Sequence, residues 1–359
     1  MRPPQTQPSP PHTLSAASTL PRPPRPPAGE KVDRGVGAWR NQETVNPPVG
    51  DNFVHATVLA DEAIQFLAPR RGGVYCDATL GGGGHSERIL EASSPDGRLV
   101  GIDRDPNALA AAGARLARFG DRVTCVHGTF GDVKSILAQL GVEAVDGFML
   151  DVGVSSPQLD HADRGFSFQR EGPLDMRMDP TSGETARDLL ERISVEEIVR
   201  ILRDYGEERY AGRIARAIKE ALEEGALATT TELAALIARA VPTREQQKDP
   251  ATRTFQALRI AVNDELGQLE RFLRDFVGLL KPGGRVVIIA FHSLEDGLVK
   301  NRFRELAQKH GYPADIALQM GLKEPELELL TRKPVWASDA ENARNPRARS
   351  ARLRAAVRR

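Results

Sequence analysis

From residue 55 onward the chain alternates short apolar runs with amphipathic stretches. Runs at 74–78, 99–103, 123–127, 145–151 and 285–291 have the length and composition of buried strands. The stretches at 106–118 and 133–140 carry the helical period, and Pro106 suits a first helical turn. Strands and helices alternating at this spacing predict βαβ units and a parallel α/β sheet. More than 130 residues separate the fourth and fifth runs, too many for one crossover. Residues 159–249 read as a loop followed by helices at 195–204, 207–224 and 231–240, a helical domain inserted into the sheet. The segment 251–280 then reads as one long helix leading into the last strand.

Composition adds limits. Residues 1–50 hold 12 of the 25 prolines, including Pro21-Arg22-Pro23-Pro24-Arg25-Pro26-Pro27, and predict a disordered arm. The sheet is then expected in two parts, 51–158 and 250–338, with 159–249 as a substrate-recognition domain and 339–359 as a basic tail. The two cysteines, Cys76 and Cys125, exclude a disulfide scaffold and fit a reducing, cytoplasmic setting. No run of about 18 apolar residues predicts a membrane span, and the start of the chain lacks the apolar core of a signal peptide. The net charge is zero but uneven. Residues 1–50 carry six Lys/Arg against three acids, and 339–359 carry seven Arg against two, leaving the middle acidic by eight. That balance argues against a general nucleic-acid coat and leaves local contact open.

Candidate chemistry gathers at the ends of the strand runs. The first ends in Asp77-Ala78-Thr79-Leu80-Gly81-Gly82-Gly83-Gly84-His85 before a helix. Four glycines at a strand-to-helix turn allow positive φ and close backbone approach to a ligand. Asp103 ends the second run, 26 residues after Asp77, where a carboxylate accepts ribose hydroxyls. Dinucleotide and S-adenosylmethionine sites share this pair of features. The glycine block replaces the dinucleotide spacing, and Asp77 suits an amino group better than a pyrophosphate, which favours S-adenosylmethionine. Phe130 is either an aromatic against adenine or plain core. The fourth run ends Asp151-Val152-Gly153-Val154-Ser155-Ser156-Pro157-Gln158, placing Asp151 in the crevice at the carboxyl ends of the strands. His292, past the last run, is a second polar group or a structural histidine.

At this point the motifs resemble those of the bacterial small-subunit (16S) ribosomal RNA cytosine-N4 methyltransferases. The resemblance is carried by Gly82-Gly83-Gly84-His85-Ser86, Ile102-Asp103-Arg104-Asp105-Pro106, Asp151-Val152-Gly153-Val154-Ser155-Ser156-Pro157-Gln158-Leu159-Asp160, Arg164-Gly165-Phe166-Ser167-Phe168 and Phe291-His292-Ser293-Leu294-Glu295-Asp296. It runs from about residue 55 to residue 354. It implies a Rossmann-like S-adenosylmethionine-dependent methyltransferase sheet with a helical insertion. The implied activity is methylation of the exocyclic N4 of a cytidine in the decoding centre of 16S rRNA, within the small ribosomal subunit. Cofactor contacts carry over onto Gly83, Gly84, His85, Asp103, Phe130, Asp151 and Gln158. Asp151 is also the expected catalytic proton acceptor, with a carbonyl near Val152 as the alternative. The acid or Asn followed by Pro-Pro-aromatic, frequent among amino-methyltransferases, is absent at the fourth strand, so no base-holding aromatic is assigned.

The chemistry needs no metal, and the sequence offers no clustered His/Cys ligand set. For RNA contact, Arg209, Arg213 and Arg216 share one helix face, although such a stripe is commonly only solvated and Glu207, Glu208 and Glu220 partly neutralise it. The arginines of 339–359 form the stronger basic feature. Two rival readings are a methyltransferase acting on DNA or a small molecule, and a non-catalytic cofactor-binding assembly factor. The sequence leaves a homodimer open.

Overall fold

The computed structural model describes residues 57–241, 249–310, 312, 316, 319–320 and 324–359. The proline-rich arm expected at 1–50 lies outside the described residues. The elements run α1 (Ala60–Leu67), β1 (Val74–Asp77), α2 (Gly84–Ala92), β2 (Arg98–Asp103), α3 (Pro106–Leu116), β3 (Val123–His127), α4 (Val133–Gln139), β4 (Val145–Asp151) and α5 (Ser156–Asp160). The helices α6 (Ala186–Arg192), α7 (Val195–Gly206), α8 (Ala211–Glu223), α9 (Thr230–Ala240), α10 (Ala251–Asn263) and α11 (Glu265–Leu279) follow. The chain closes with β5 (Leu280–Ala290), α12 (Ser293–Leu306), β6 (Leu327–Leu329), α13 (Asp339–Arg344) and β7 (Arg352–Arg358).

The seven strands are ordered β3-β2-β1-β4-β5-β7-β6. β1 to β5 are parallel, and β7 is antiparallel to both its neighbours. Successive strand residues face opposite sides, so both faces are apolar and both are covered by helices. Cys76, Val100, Phe148 and Val286 face a core completed by α4, α11 and α12, where Phe148 meets Phe272 edge-on at 5.3 Å. Tyr75, Leu99, Met149 and Val287 face the other side, against α1, α2 and α3. The order reverses between β1 and β4, and in such sheets ligands bind at that switch point, beyond the carboxyl ends. This is the predicted α/β architecture. Among the described residues, no helix is long and apolar enough to cross a membrane.

Two expectations are corrected. The segment 251–280 is two helices, because Asp264 adopts a left-handed conformation (φ 48°) between α10 and α11. Its first half joins the helical layer: Phe255, Ala257 and Leu258 share a core with Leu190, Leu202, Ile214, Ile218 and Ile237. The helical layer therefore extends past residue 249. The second correction concerns the basic tail. Residues 352–358 are not a tail but a strand hydrogen-bonded between β5 and β6, with Leu353, Ala355 and Ala356 fully buried. Its arginines are spent internally. Arg354 pairs with Asp296 at 2.6 Å, Arg352 lies over the Trp336 ring, and Arg358 donates to the Leu280 carbonyl.

Candidate active site at the carboxyl edge of the sheet

The glycine turn is built for the backbone path and for close approach. Gly81 and Gly83 have φ of 51° and 79°, where a side chain is strained. A Cβ on Gly84 would fall 2.0 Å from Thr57 Oγ1, whereas one on Gly82 would meet nothing within 4 Å. The turn is packed at its base and open at Gly82. Asp77 does not reach the opening. It is 1% exposed, takes the Ser86 hydroxyl at 2.6 Å and the Thr79 N–H at 3.3 Å, and burial pushes its carboxyl up to about 6. The amino-group role considered for it from sequence does not fit that placement.

Asp103 joins the two loops that frame the crevice, accepting from Gly81 N–H at 2.7 Å and Asp105 N–H at 2.8 Å. A carboxylate has about four acceptor positions, and the Arg104 amide also acts on this one, so some capacity is left for a ligand. Burial raises its pKa. Asp151 ends β4, and its N–H donates to Thr79 Oγ1 at 2.6 Å. Its Oδ1 is buried with no hydrogen-bond partner, and its Oδ2 lies 3.9 Å from His85 Nδ1. His85 is buried, with Nε2 3.0 Å from the Val58 carbonyl. Burial, then the charges of Asp77 and Glu295, push the Asp151 carboxyl up to about 8, although 24% of the side chain stays exposed.

Gln158 is placed differently from a free ligand-binding amide. It completes the capping box of α5, where its Oε1 accepts Ser155 N–H at 3.0 Å. Its Nε2 donates to Asp105 Oδ2 at 3.0 Å, an oxygen that also takes Arg164 Nη1 at 2.8 Å. Gln158 thus ties the loop after β4 to the loop after β2. Phe130 begins the short turn Phe130–Asp132, half-buried against the core of the α4 face.

The pairing of Arg164 with Asp105 carries no sequence spacing that would reveal it, whereas His292 is visible past the last apolar run. Arg164 and Asp105 form the pin just described. Beyond β5, His292 caps α12, accepting Glu295 N–H at Nδ1, while the Glu295 carboxylate takes Phe291 N–H at 2.9 Å. Glu265 lies in the same cluster and is gripped by Arg259 at 2.8 and 3.0 Å. The turn open at Gly82, the spare acceptor positions of Asp103 and the unpartnered Asp151 oxygen suit S-adenosylmethionine, which presents backbone-binding groups, ribose hydroxyls and a cation.

Comparison with known proteins gives the family. A ribosomal RNA small subunit methyltransferase H of Geotalea uraniireducens is 54% identical over 307 residues, covering 85% of this chain and 98% of that protein. The protein of the same name from Geobacter sulfurreducens is 54% identical over 306 residues, with the same coverage. A solved rRNA methylase from Streptococcus thermophilus gives a TM-score of 0.37 at 9% identity, covering 83% of this chain and 93% of that one. The model of the MraW methylase family matches residues 52–359. On that span the chain belongs to the MraW methylase family and is an S-adenosylmethionine-dependent methylase.

Proposed function

We propose that this protein methylates the exocyclic N4 of a cytidine in the decoding centre of 16S rRNA, acting on the small ribosomal subunit in the cytoplasm. The relatives' names support an rRNA substrate, and the sequence motifs support cytosine N4. The observation that carries the chemistry is Asp151, a carboxylate with one buried, unpartnered oxygen at the carboxyl end of β4.

The N4 lone pair is conjugated into the pyrimidine ring, so the nitrogen is a poor nucleophile until an acceptor draws on its N–H. When bound, S-adenosylmethionine would supply the electrophilic methyl and leave as the neutral thioether. Asp151 in its ionised form would accept the N4–H hydrogen bond and take the proton as the methyl is transferred. Asp103 would accept from the ribose hydroxyls, and the backbone at Gly83, Gly84 and His85 would hold the methionine end. Phe130 would offer its ring to the adenine. Gln158 acts by holding the Ser155 turn, and so Asp151, at a fixed distance from the cofactor side. A base must leave its stack to enter such a crevice, which favours splayed or single-stranded RNA.

Incubating the protein and S-adenosylmethionine with undermodified small subunits, followed by nucleoside mass spectrometry, tests the reading. N4-methylcytidine is the expected product. Methyl transfer only to DNA or a small molecule, or cofactor binding without transfer to any of the three, overturns it.

A further inference from the structure

The basic stripe of α8 changes character once folded. Ala211, Ile214, Ala215 and Ile218 are fully buried, which turns Arg213 and Arg216 outward, while Arg209 lies on the turn just before the helix rather than within it; all three are exposed. Two of the acids that neutralise the stripe in the sequence are occupied elsewhere. Glu208 is 4% exposed and takes the Tyr210 N–H at 2.8 Å, and Glu207 accepts from Ser293 Oγ at 3.2 Å. Among the described residues, the three arginines form no ion pair or side-chain hydrogen bond. Two exposed arginines of the neighbouring α6 behave otherwise: Arg187 pairs with Glu191 at 2.8 Å and Arg192 with Glu184 at 2.6 Å.

The stripe is also well placed. The Glu207–Ser293 contact sets its near end beside the segment after β5, whose Glu295 charge is felt by Asp151. Arg213 and Arg216 lie about 4.5 Å apart along the helix axis, and Arg209 extends the group from the turn that precedes it, so the group can meet more than one phosphate. An unpaired guanidinium holds a phosphate through two parallel N–H donors and releases counterions in doing so. Residues 51–338 are acidic by eight overall, so unpaired arginines here concentrate attraction for a polyanion at one place.

We propose that Arg209, Arg213 and Arg216 grip the phosphates of single-stranded RNA flanking the target nucleotide, with the base turned toward Asp151. The inference rests on the rRNA reading above. Its test replaces all three arginines by Gln, which keeps helix propensity, and uses undermodified small subunits as substrate over a salt series. Cofactor affinity, Tm and kcat at saturating subunits are expected to stay near wild type. KM for subunits should rise about tenfold or more near physiological salt, and the log–log salt slope should fall by about two to three units. A triple Lys variant should recover most of the slope. Doubly replacing the paired Arg187 and Arg192 by Gln should leave KM unchanged. Unaltered KM and slope in the Gln variant, or an equal effect from the Arg187/Arg192 control, overturns the inference. Should the wild-type enzyme fail to methylate the subunits, the rRNA reading itself falls, and the two failures are distinguished by that single lane.

Discussion

Asp151→Asn keeps the shape of the side chain and removes the charge. With Asp151 as acceptor, single-turnover rate at saturating cofactor should fall by about 10²–10⁴-fold, and a near-native rate would leave only a binding role. The raised Asp151 pKa also sets a pH dependence. In the free enzyme the carboxyl holds its proton to about pH 8, and Asp77 to about 6. A cationic ligand favours the ionised forms, so affinity for S-adenosylmethionine should rise with pH across that window. S-Adenosylhomocysteine, neutral at sulfur, should show a smaller rise, and equal slopes in calorimetry would refute the charge pairing. Stability of the free enzyme runs the other way, because a group that binds its proton more tightly when folded loses that contribution as pH climbs. Asp103→Ala should weaken cofactor binding by about two decades, near 2–3 kcal/mol. It should also lower Tm, since the Gly81 and Asp105 amides lose their acceptor. Sequence placed Asp103 and Asp151 correctly because strand ends are legible from apolar runs. It missed the Asp105–Gln158–Arg164 pin because those partners are 53 and 59 residues apart, with nothing periodic to connect them.

At the scale of elements, β7 is where reading by composition failed. Arg352-Leu353-Arg354-Ala355 alternates with period two, as a strand does, but the density of arginines imitates a solvated terminus. The charges are tolerated because Asp296, Trp336 and a backbone carbonyl receive them. Leu353→Ala should therefore destabilise the fold by about 2–5 kcal/mol in denaturant titration, as for a fully buried leucine. Removing residues 342–359 should abolish folding rather than trim an RNA contact, seen as loss of the cooperative transition. The break at Asp264 was equally hidden, since apolar positions continue on both sides of it. What bends the chain there is tertiary: Asn263 accepts from Met178 N–H and donates to the Met176 carbonyl, holding the end of α10 to the segment between α5 and α6.

For the molecule as a whole, the family match begins at residue 52, so a chain lacking residues 1–48 should retain cofactor binding and turnover on small subunits. A shortened protein that folds yet is inactive would give the arm a role in the reaction. The order of the sheet has a further consequence, for biosynthesis. β5 is an inner strand whose outer edge is covered by a strand made much later, after α12, β6 and α13. Until residues 352–358 emerge from the translation machinery, Val286 to Ile289 present an apolar, unpaired edge, the kind of template on which nascent chains aggregate. The antiparallel strand thus acts as a latch: the sheet can close over β5 only after residues 352–358 have been made.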